Sequence, residues 1–304
     1  MMFFVSRPSI RQSARVAVLA ILSISLVFSV GLFSADYSPV IPTNRIAANF
    51  VLSPNSQNAN RPVQLPPPAG RFDYQLGGSY PLTQGTQIVS RDRTDQPATG
   101  AYNICYINAY QTQPEAISWW RELYPELLLR DKSGNEVVDP DWPDEVLFDL
   151  STKAKRSSLA AILYTWIDGC ARDGFDAVEP DNLDSWTRSF GQLRKTDNVA
   201  LARLLTRYAH KQGVAIAQKN TTELAAQGRA IGFDFAIAEE CQVYKECDVY
   251  IKTYGPLVIE IEYTDNGINA FAASCKARKG KISIVLRDRD LTLPGDPNYT
   301  LKTC

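Results

Sequence analysis

Eight short apolar runs punctuate the chain beyond residue 70: "FDYQL" (72–76), "QIVS" (87–90), "YNICYI" (102–107), "FDAVE" (175–179), "VAIAQ" (214–218), "FDFAIA" (233–238), "LVIEIE" (257–262) and "ISIVL" (282–286). Each is rich in β-branched, aromatic or other apolar residues and ends in or is closely followed by polar ones, which predicts strands. Between the later runs, apolar residues recur every three or four positions over 156–173 and 197–212, and more briefly over 221–231 and 266–278, which predicts helices. Strand and helix in alternation imply parallel strands with crossover helices. Eight units predict an α/β fold, a (β/α)8 TIM barrel, irregular in its first two units where the helical pattern is poor. The alternative is an open doubly wound sheet. No Gly-rich phosphate loop opens any helix, which argues against a nucleotide-binding version of it.

The N-terminal pattern is different. Arg7, Arg11 and Arg15 precede an uncharged apolar run at 16–35. This predicts a signal peptide or signal anchor at 1–35, with the rest of the protein secreted or held outside the cytosol by a membrane tether. Residues 36–70, rich in Pro, Asn, Ser and Gln and ending "QLPPPAG", read as a disordered linker. The barrel domain is then 71–304.

Six cysteines fit export. Cys241 and Cys247 enclose a short polar loop and are the best disulfide candidates. Cys275 and Cys304 are a second possible pair. Cys105 and Cys170 lie in apolar contexts and are expected to be free core residues.

Charge narrows the class of partner. The net charge is −1, but residues 1–70 hold five Arg and one Asp, so the remainder is mildly acidic. No basic cluster interleaved with aromatics suggests nucleic-acid binding. A monomer is expected.

Polar residues close nearly every strand run: Tyr74, Asp92, Tyr106 and Asn108, Glu179 with Asp181 and Asn182, Lys219 and Asn220, Glu239 and Glu240, Glu262 and Tyr263. In a (β/α)8 barrel these ends converge on the face that carries active sites. The single histidine, His210, sits near a predicted helix C-terminus, where a cation suits the helix dipole. Nucleophilic triads and His-rich zinc sites are therefore disfavoured, no Cys-x-x-Cys spacing exists, and no cofactor fingerprint or metal site is read. Carboxylate chemistry remains. Asp181 and Glu239, on different strands, form the pair that glycoside hydrolysis requires. Tyr74, Tyr106, Tyr110, Trp119, Trp120, Trp142, Trp166, Trp186 and Tyr263 are candidates for stacking on sugar rings.

The stretches "GFDAVEPDNLD", "AHKQGVAIAQKN", "FDFAIAEECQVYKEC" and "IEIEYTD", with "FDYQLGG" and "CYINAY", resemble the endo-α-1,4-polygalactosaminidase family, glycoside hydrolase family 114, over about residues 71–290. The resemblance implies a TIM barrel and cleavage of α-1,4-linked galactosamine-containing polysaccharide. It also implies Asp181 as nucleophile, Glu239 as acid/base and retention of configuration. Two departures stand out: Ala238 where the family commonly has Asn, and "KNT" at 219–221 where "KND" is common. Ala238 leaves room for a non-catalytic carbohydrate-binding barrel, and a glycosidase on another α-linked glycan is a further alternative. Galactosamine units without acetyl groups are cationic, so Asp92, Asp149, Glu179, Glu240 and Glu262 are expected to attract such a polymer to an acidic mouth.

Overall fold

A computed structural model describes residues 62–304; the expected signal or anchor at 16–35, and the linker as far as residue 61, lie outside the described residues. Eight parallel strands follow one another in chain order: β1 (Phe72–Gln75), β2 (Ile88–Asp92), β3 (Tyr102–Asn108), β4 (Ala177–Asp181), β5 (Ala215–Lys219), β6 (Phe235–Glu239), β7 (Val258–Tyr263) and β8 (Ser283–Arg287). A ninth, β9 (Leu301–Thr303), which the sequence pattern missed, pairs antiparallel with β8. At the seam between β8 and β1, the buried Arg287 guanidinium lies 3.1 Å from Asp73 Oδ1, donates to the Tyr74 carbonyl and reaches the Tyr80 hydroxyl at 3.0 Å. The result is a nearly closed TIM-type barrel.

The helices are α1 (Ile117–Leu123), α2 (Lys153–Asp173), α3 (Lys195–Lys211), α4 (Thr222–Ala225), α5 (Gly228–Ile231), α6 (Cys247–Tyr254) and α7 (Ile268–Arg278). None lies between β1 and β2 or between β2 and β3, so the barrel is irregular in its first two units, as expected. The Thr152 hydroxyl accepts from Lys155 N at the start of α2, and Gly174, at φ 101°, ends it. Only glycine takes that left-handed backbone freely. No helix among the described residues is long and apolar enough to cross a membrane.

Alternation along each strand divides the core into two clusters. Phe72, Ile88, Ile104, Ala177, Ala215, Ala217, Phe235, Ile237, Ile259, Ile261 and Val285 fill the barrel. Residues of the opposite parity, among them Val178, Ile216, Ala236 and Ala238, join the cluster between barrel and helices. This parity decides which polar residues at the strand ends face the barrel mouth.

It also explains a correction to the cysteine reading. Cys105 and Cys170 are not free: Cys105 has the outward parity of β3 and is bonded to Cys170 on α2. Cys241–Cys247 and Cys275–Cys304 are bonded too. Part of the expected linker also differs from expectation. Val63 packs against the inner cluster, and Tyr102 donates to the Gln64 carbonyl at 2.8 Å.

Candidate active site

At the C-terminal ends of the strands, inward parity selects Tyr74, Tyr106, Asn108, Glu179, Asp181, Lys219, Glu239 and Tyr263 from one polar sequence. The backbone then turns sharply. Asn182, Asn220 and Glu240, each the residue after the last one of its strand, have φ of 64°, 46° and 58°, and Thr221 follows at 67°. Asparagine accepts the left-handed region at little cost; Glu240 and Thr221 are strained there, which is common beside functional groups. The β5 turn is braced from below. Gln218 Nε2 donates to the carbonyls of Asn220 and Thr221, both at 2.9 Å, and Tyr254 donates to Gln218 Oε1 at 2.7 Å. Gly228 leaves space for this brace, because a Cβ there would stand 1.8 Å from the Tyr254 hydroxyl.

Lys219 is the centre of the arrangement. Its buried Nζ lies 3.0 Å from Glu179 Oε1, 3.3 Å from Asp181 Oδ2 and 3.3 Å from Glu239 Oε2. It also donates to the Tyr74 hydroxyl at 2.9 Å. Because Asp181 Oδ2 and Glu239 Oε2 are each 3.3 Å from one atom, they lie at most twice that distance, 6.6 Å, apart. Two carboxylates flanking a glycosidic bond stand about 5–5.5 Å apart in retaining hydrolases and about 6.5–9.5 Å apart in inverting ones.

Each member of the pair has its own support. Asp181 Oδ2 accepts from the Tyr106 hydroxyl at 2.9 Å and Oδ1 from Asn182 N at 2.7 Å. Glu239 Oε1 accepts from the Tyr263 hydroxyl, and Oε2 accepts from Asn220 Nδ2 at 2.8 Å. Asn220 Oδ1 in turn accepts from Glu239 N at 2.8 Å, so this amide locks the strand end from both sides. The side chains of Asp181 and Glu239 remain 18% and 22% exposed, open to a ligand, whereas Glu179, one layer deeper, is fully buried.

The electrostatics follow from burial against one shared cation. Burial pushes the Glu239 carboxyl up, but Lys219, Tyr263 and Asn220 together outweigh it and hold it below the ordinary carboxylate value. For Glu179 burial wins over Lys219 and Ser90, and its carboxyl is raised. Burial alone would lower Lys219; Asp181, Glu239 and Glu179 more than reverse this and hold it charged. Burial raises the hydroxyls of Tyr74, Tyr106 and Tyr263 well above the ordinary phenol value, so all three stay neutral donors.

Other expected substrate-contacting residues are placed differently. Asp149 is no part of this group: its carboxylate binds Ser151 and Lys155 at the entrance to α2. Glu262 has the outward parity of β7 and is fully buried behind the barrel, where Oε1 accepts from Gln242 N at 3.0 Å and no donor among the described residues reaches Oε2. Glu240 stays at the rim but is ion-paired to Arg289 at 2.6 Å. Asp92 accepts from Thr94 and from Gln113 Nε2. The expected acidic mouth is thus largely neutralised or buried. Of the expected acids at the strand ends, the three carboxylates around Lys219 remain as a source of negative field.

Among the candidate aromatics, Trp119, Trp120 and Trp166 pack on one another outside the barrel, with Trp120 against Phe148 at 4.4 Å and Arg93 over Trp166. Ala238 also points away from the mouth, into the cluster beneath the helices, so it removes no group from the Glu239 carboxylate.

The sequence reading missed Glu145 and Arg188. Glu145 ends a turn in the long β3–α2 connection, and its Oε2 accepts from Asn108 Nδ2 at 2.9 Å and Gln111 Nε2 at 2.7 Å. Arg188 binds Asp139 at 2.6 Å, Asp184 at 2.8 Å and Asn182 Oδ1 at 3.1 Å, tying that connection to the β4 loop. The signals were the acid run "DPDWPDEV" and a lone arginine in "SWTRSF".

A parallel barrel with paired carboxylates on two strand ends that flank a third, β4 and β6 about β5, at its C-terminal face is the architecture of a glycoside hydrolase. The profile of glycoside-hydrolase family GH114 matches residues 53–304, and the chain belongs to that family. Two solved structures share the fold. Aspergillus fumigatus Ega3, crystallised in complex with galactosamine, is 21% identical with a TM-score of 0.63, covering 81% of this chain and 100% of that one. The glycoside hydrolase domain of PelA from Pseudomonas aeruginosa is 13% identical with a TM-score of 0.52, covering 78% and 99%. No match was found among curated proteins.

Proposed function

We propose that the protein is an exported endo-glycosidase that hydrolyses α-1,4 linkages in galactosamine-containing polysaccharide, with residues 16–35 as its signal or anchor and 71–304 as its catalytic domain. The observation that carries the reading is the placement of Asp181 and Glu239 on one rim, at most 6.6 Å apart and both partly exposed. Family membership and the complex of the Ega3 relative with galactosamine support the amino-sugar polymer. Three disulfides suit a domain that folds in an oxidising compartment.

In this reading the Asp181 carboxylate attacks the anomeric carbon while Glu239 protonates the departing oxygen. Glu239 then removes a proton from the water that releases the glycosyl-enzyme, with overall retention. Tyr106 and Asn182 N aim Asp181; Tyr263 and Asn220 aim Glu239. Lys219 keeps both carboxylates in place and moderates their mutual repulsion. As positive charge develops on the sugar ring, the net negative field of the cluster stabilises it. Glu239 gains its catalytic proton when substrate replaces water around it, because desolvation favours the neutral carboxyl. Incubating the purified domain with partially deacetylated galactosamine polymer tests the proposal: short oligosaccharides are expected, and an unchanged polymer rejects it.

A further inference from the structure

Glu145 differs from the other acids around the mouth: even Asp92, which likewise has no cation among the described residues, has both oxygens filled, Oδ1 by Thr94 and Oδ2 by Gln113. Asp181, Glu239 and Glu179 share Lys219; Glu240 has Arg289; Asp139 and Asp184 have Arg188. Glu145 has no lysine or arginine partner among the described residues. Both of its amide donors, from Asn108 and Gln111, converge on Oε2, and no donor among the described residues reaches Oε1.

Its position is fixed and adjoins the reacting pair. Asn182, the residue after Asp181, donates through Nδ2 to Asn108 Oδ1 at 2.9 Å, and Asn108 Nδ2 holds Glu145. The turn carrying Glu145 is closed by Asp139 N donating to the Glu145 carbonyl at 2.9 Å and by Glu145 N donating to the Trp142 carbonyl at 2.9 Å. Arg188 clamps its first residue, Asp139. Within the same turn, Trp142 is exposed. A carboxylate held by neutral amides on one oxygen and left open on the other, beside Asp181, lacks only a cation.

We infer that Glu145 is a specificity-determining residue, whose carboxylate receives the 2-ammonium group of the sugar unit bound next to the one attacked by Asp181. The inference rests on the amino-sugar reading above and deepens it. The field around Glu145 is consistent with it. Burial first, then Asp181 and Asp139, disfavour its charged form and raise it to about 7, with Gln111 and Asn108 opposing. An arriving ammonium would reverse that, whereas an N-acetyl group brings no charge and more bulk to the same place. Arg188 does not compensate, since its donors go to Asp139, Asp184, Asn182 and Gln111.

The test compares wild type with Glu145→Gln, which can still accept from Asn108 and Gln111, and with Glu145→Asp, which keeps the charge. The readouts are KM and kcat on a fully deacetylated α-1,4-galactosamine oligomer, and the inhibition constant of its fully N-acetylated counterpart. Charge-assisted contacts of this kind support a rise in KM of about tenfold or more for Glu145→Gln on the cationic oligomer. Inhibition by the acetylated one should stay unchanged, kcat should stay within a few-fold, and Glu145→Asp should recover most of the loss. Equal effects on both ligands, or no effect on KM, overturn the assignment of Glu145 alone. A wild-type protein that releases nothing from the galactosamine oligomer overturns the polymer reading and this inference with it.

Discussion

The Glu239 carboxylate lies 3.3 Å from the Lys219 ammonium, across the β5–β6 ladder, in a site that also brings Asp181 within 3.3 Å of the same nitrogen. One buried cation therefore sets the spacing of two acids and the protonation of Glu239. Replacing Lys219 with Met should release the depressed Glu239 carboxyl upward, because its largest charge-stabilising partner is gone. A general acid works only while protonated, so the basic limb of the pH profile of kcat/KM should move to higher pH even as the rate falls. An unshifted basic limb would show that Lys219 does not govern Glu239.

The same shift has a consequence for stability. The folded-state value of Glu239 is depressed, so its ionic contacts stabilise the fold above the ordinary carboxylate value and are lost as pH falls through the depressed one. The wild-type melting temperature should drop on acidification below about pH 4, whereas Glu239→Gln, which has no carboxylate to protonate there, should show a shallower drop. Parallel acid profiles would contradict this.

Glu262 shows the opposite sign. Burial, followed in effect by Glu260 and Glu240, raises its carboxyl to about 8 against the Gln242 amide. Its Oε2 receives no hydrogen bond from any donor among the described residues. The folded protein thus holds a proton that the unfolded chain has lost, and stability falls as pH rises from the ordinary carboxylate value through about 8. Glu262→Gln should remove that decline in thermal melts between pH 5 and pH 8, with activity unaffected; a decline of the same slope in the variant would place the proton elsewhere.

Cys105–Cys170 joins β3 to α2 across 65 residues, while Cys241–Cys247 spans 6. Loop-closure entropy puts the first at about 4 kcal/mol and the second at about 2 kcal/mol. Denaturant unfolding of the two double Cys→Ala variants should rank them in that order. A larger loss from the shorter loop would mean that it contributes through native contacts rather than through the unfolded chain.

Much of this was legible because strand parity is a strict rule. Once Ile259 and Ile261 face inward, "IEIEY" sends Tyr263 to the mouth and Glu262 behind the sheet; treating both as rim residues ignored a signal already present in the alternation. The same rule turns Cys105 outward, toward α2, but its partner lies 65 residues away and no local pattern pointed to it. Glu145 was illegible for another reason. It sits in a connection stabilised by turns and by Arg188, with no helical or strand period to give its side chain a direction. Asp181, Lys219 and Glu239 were legible as polar residues closing apolar strands, but their convergence on a single nitrogen is a property of barrel closure.

The most direct test of the central claim is to follow the anomeric protons by NMR while wild type, Asp181→Asn and Glu239→Gln act on defined α-1,4-galactosamine oligomers. Internal cleavage by the wild type giving the α-anomer first, with each variant slower by about two orders of magnitude or more, is the expected result. Turnover surviving in both variants, or a first-formed β-anomer, would contradict it.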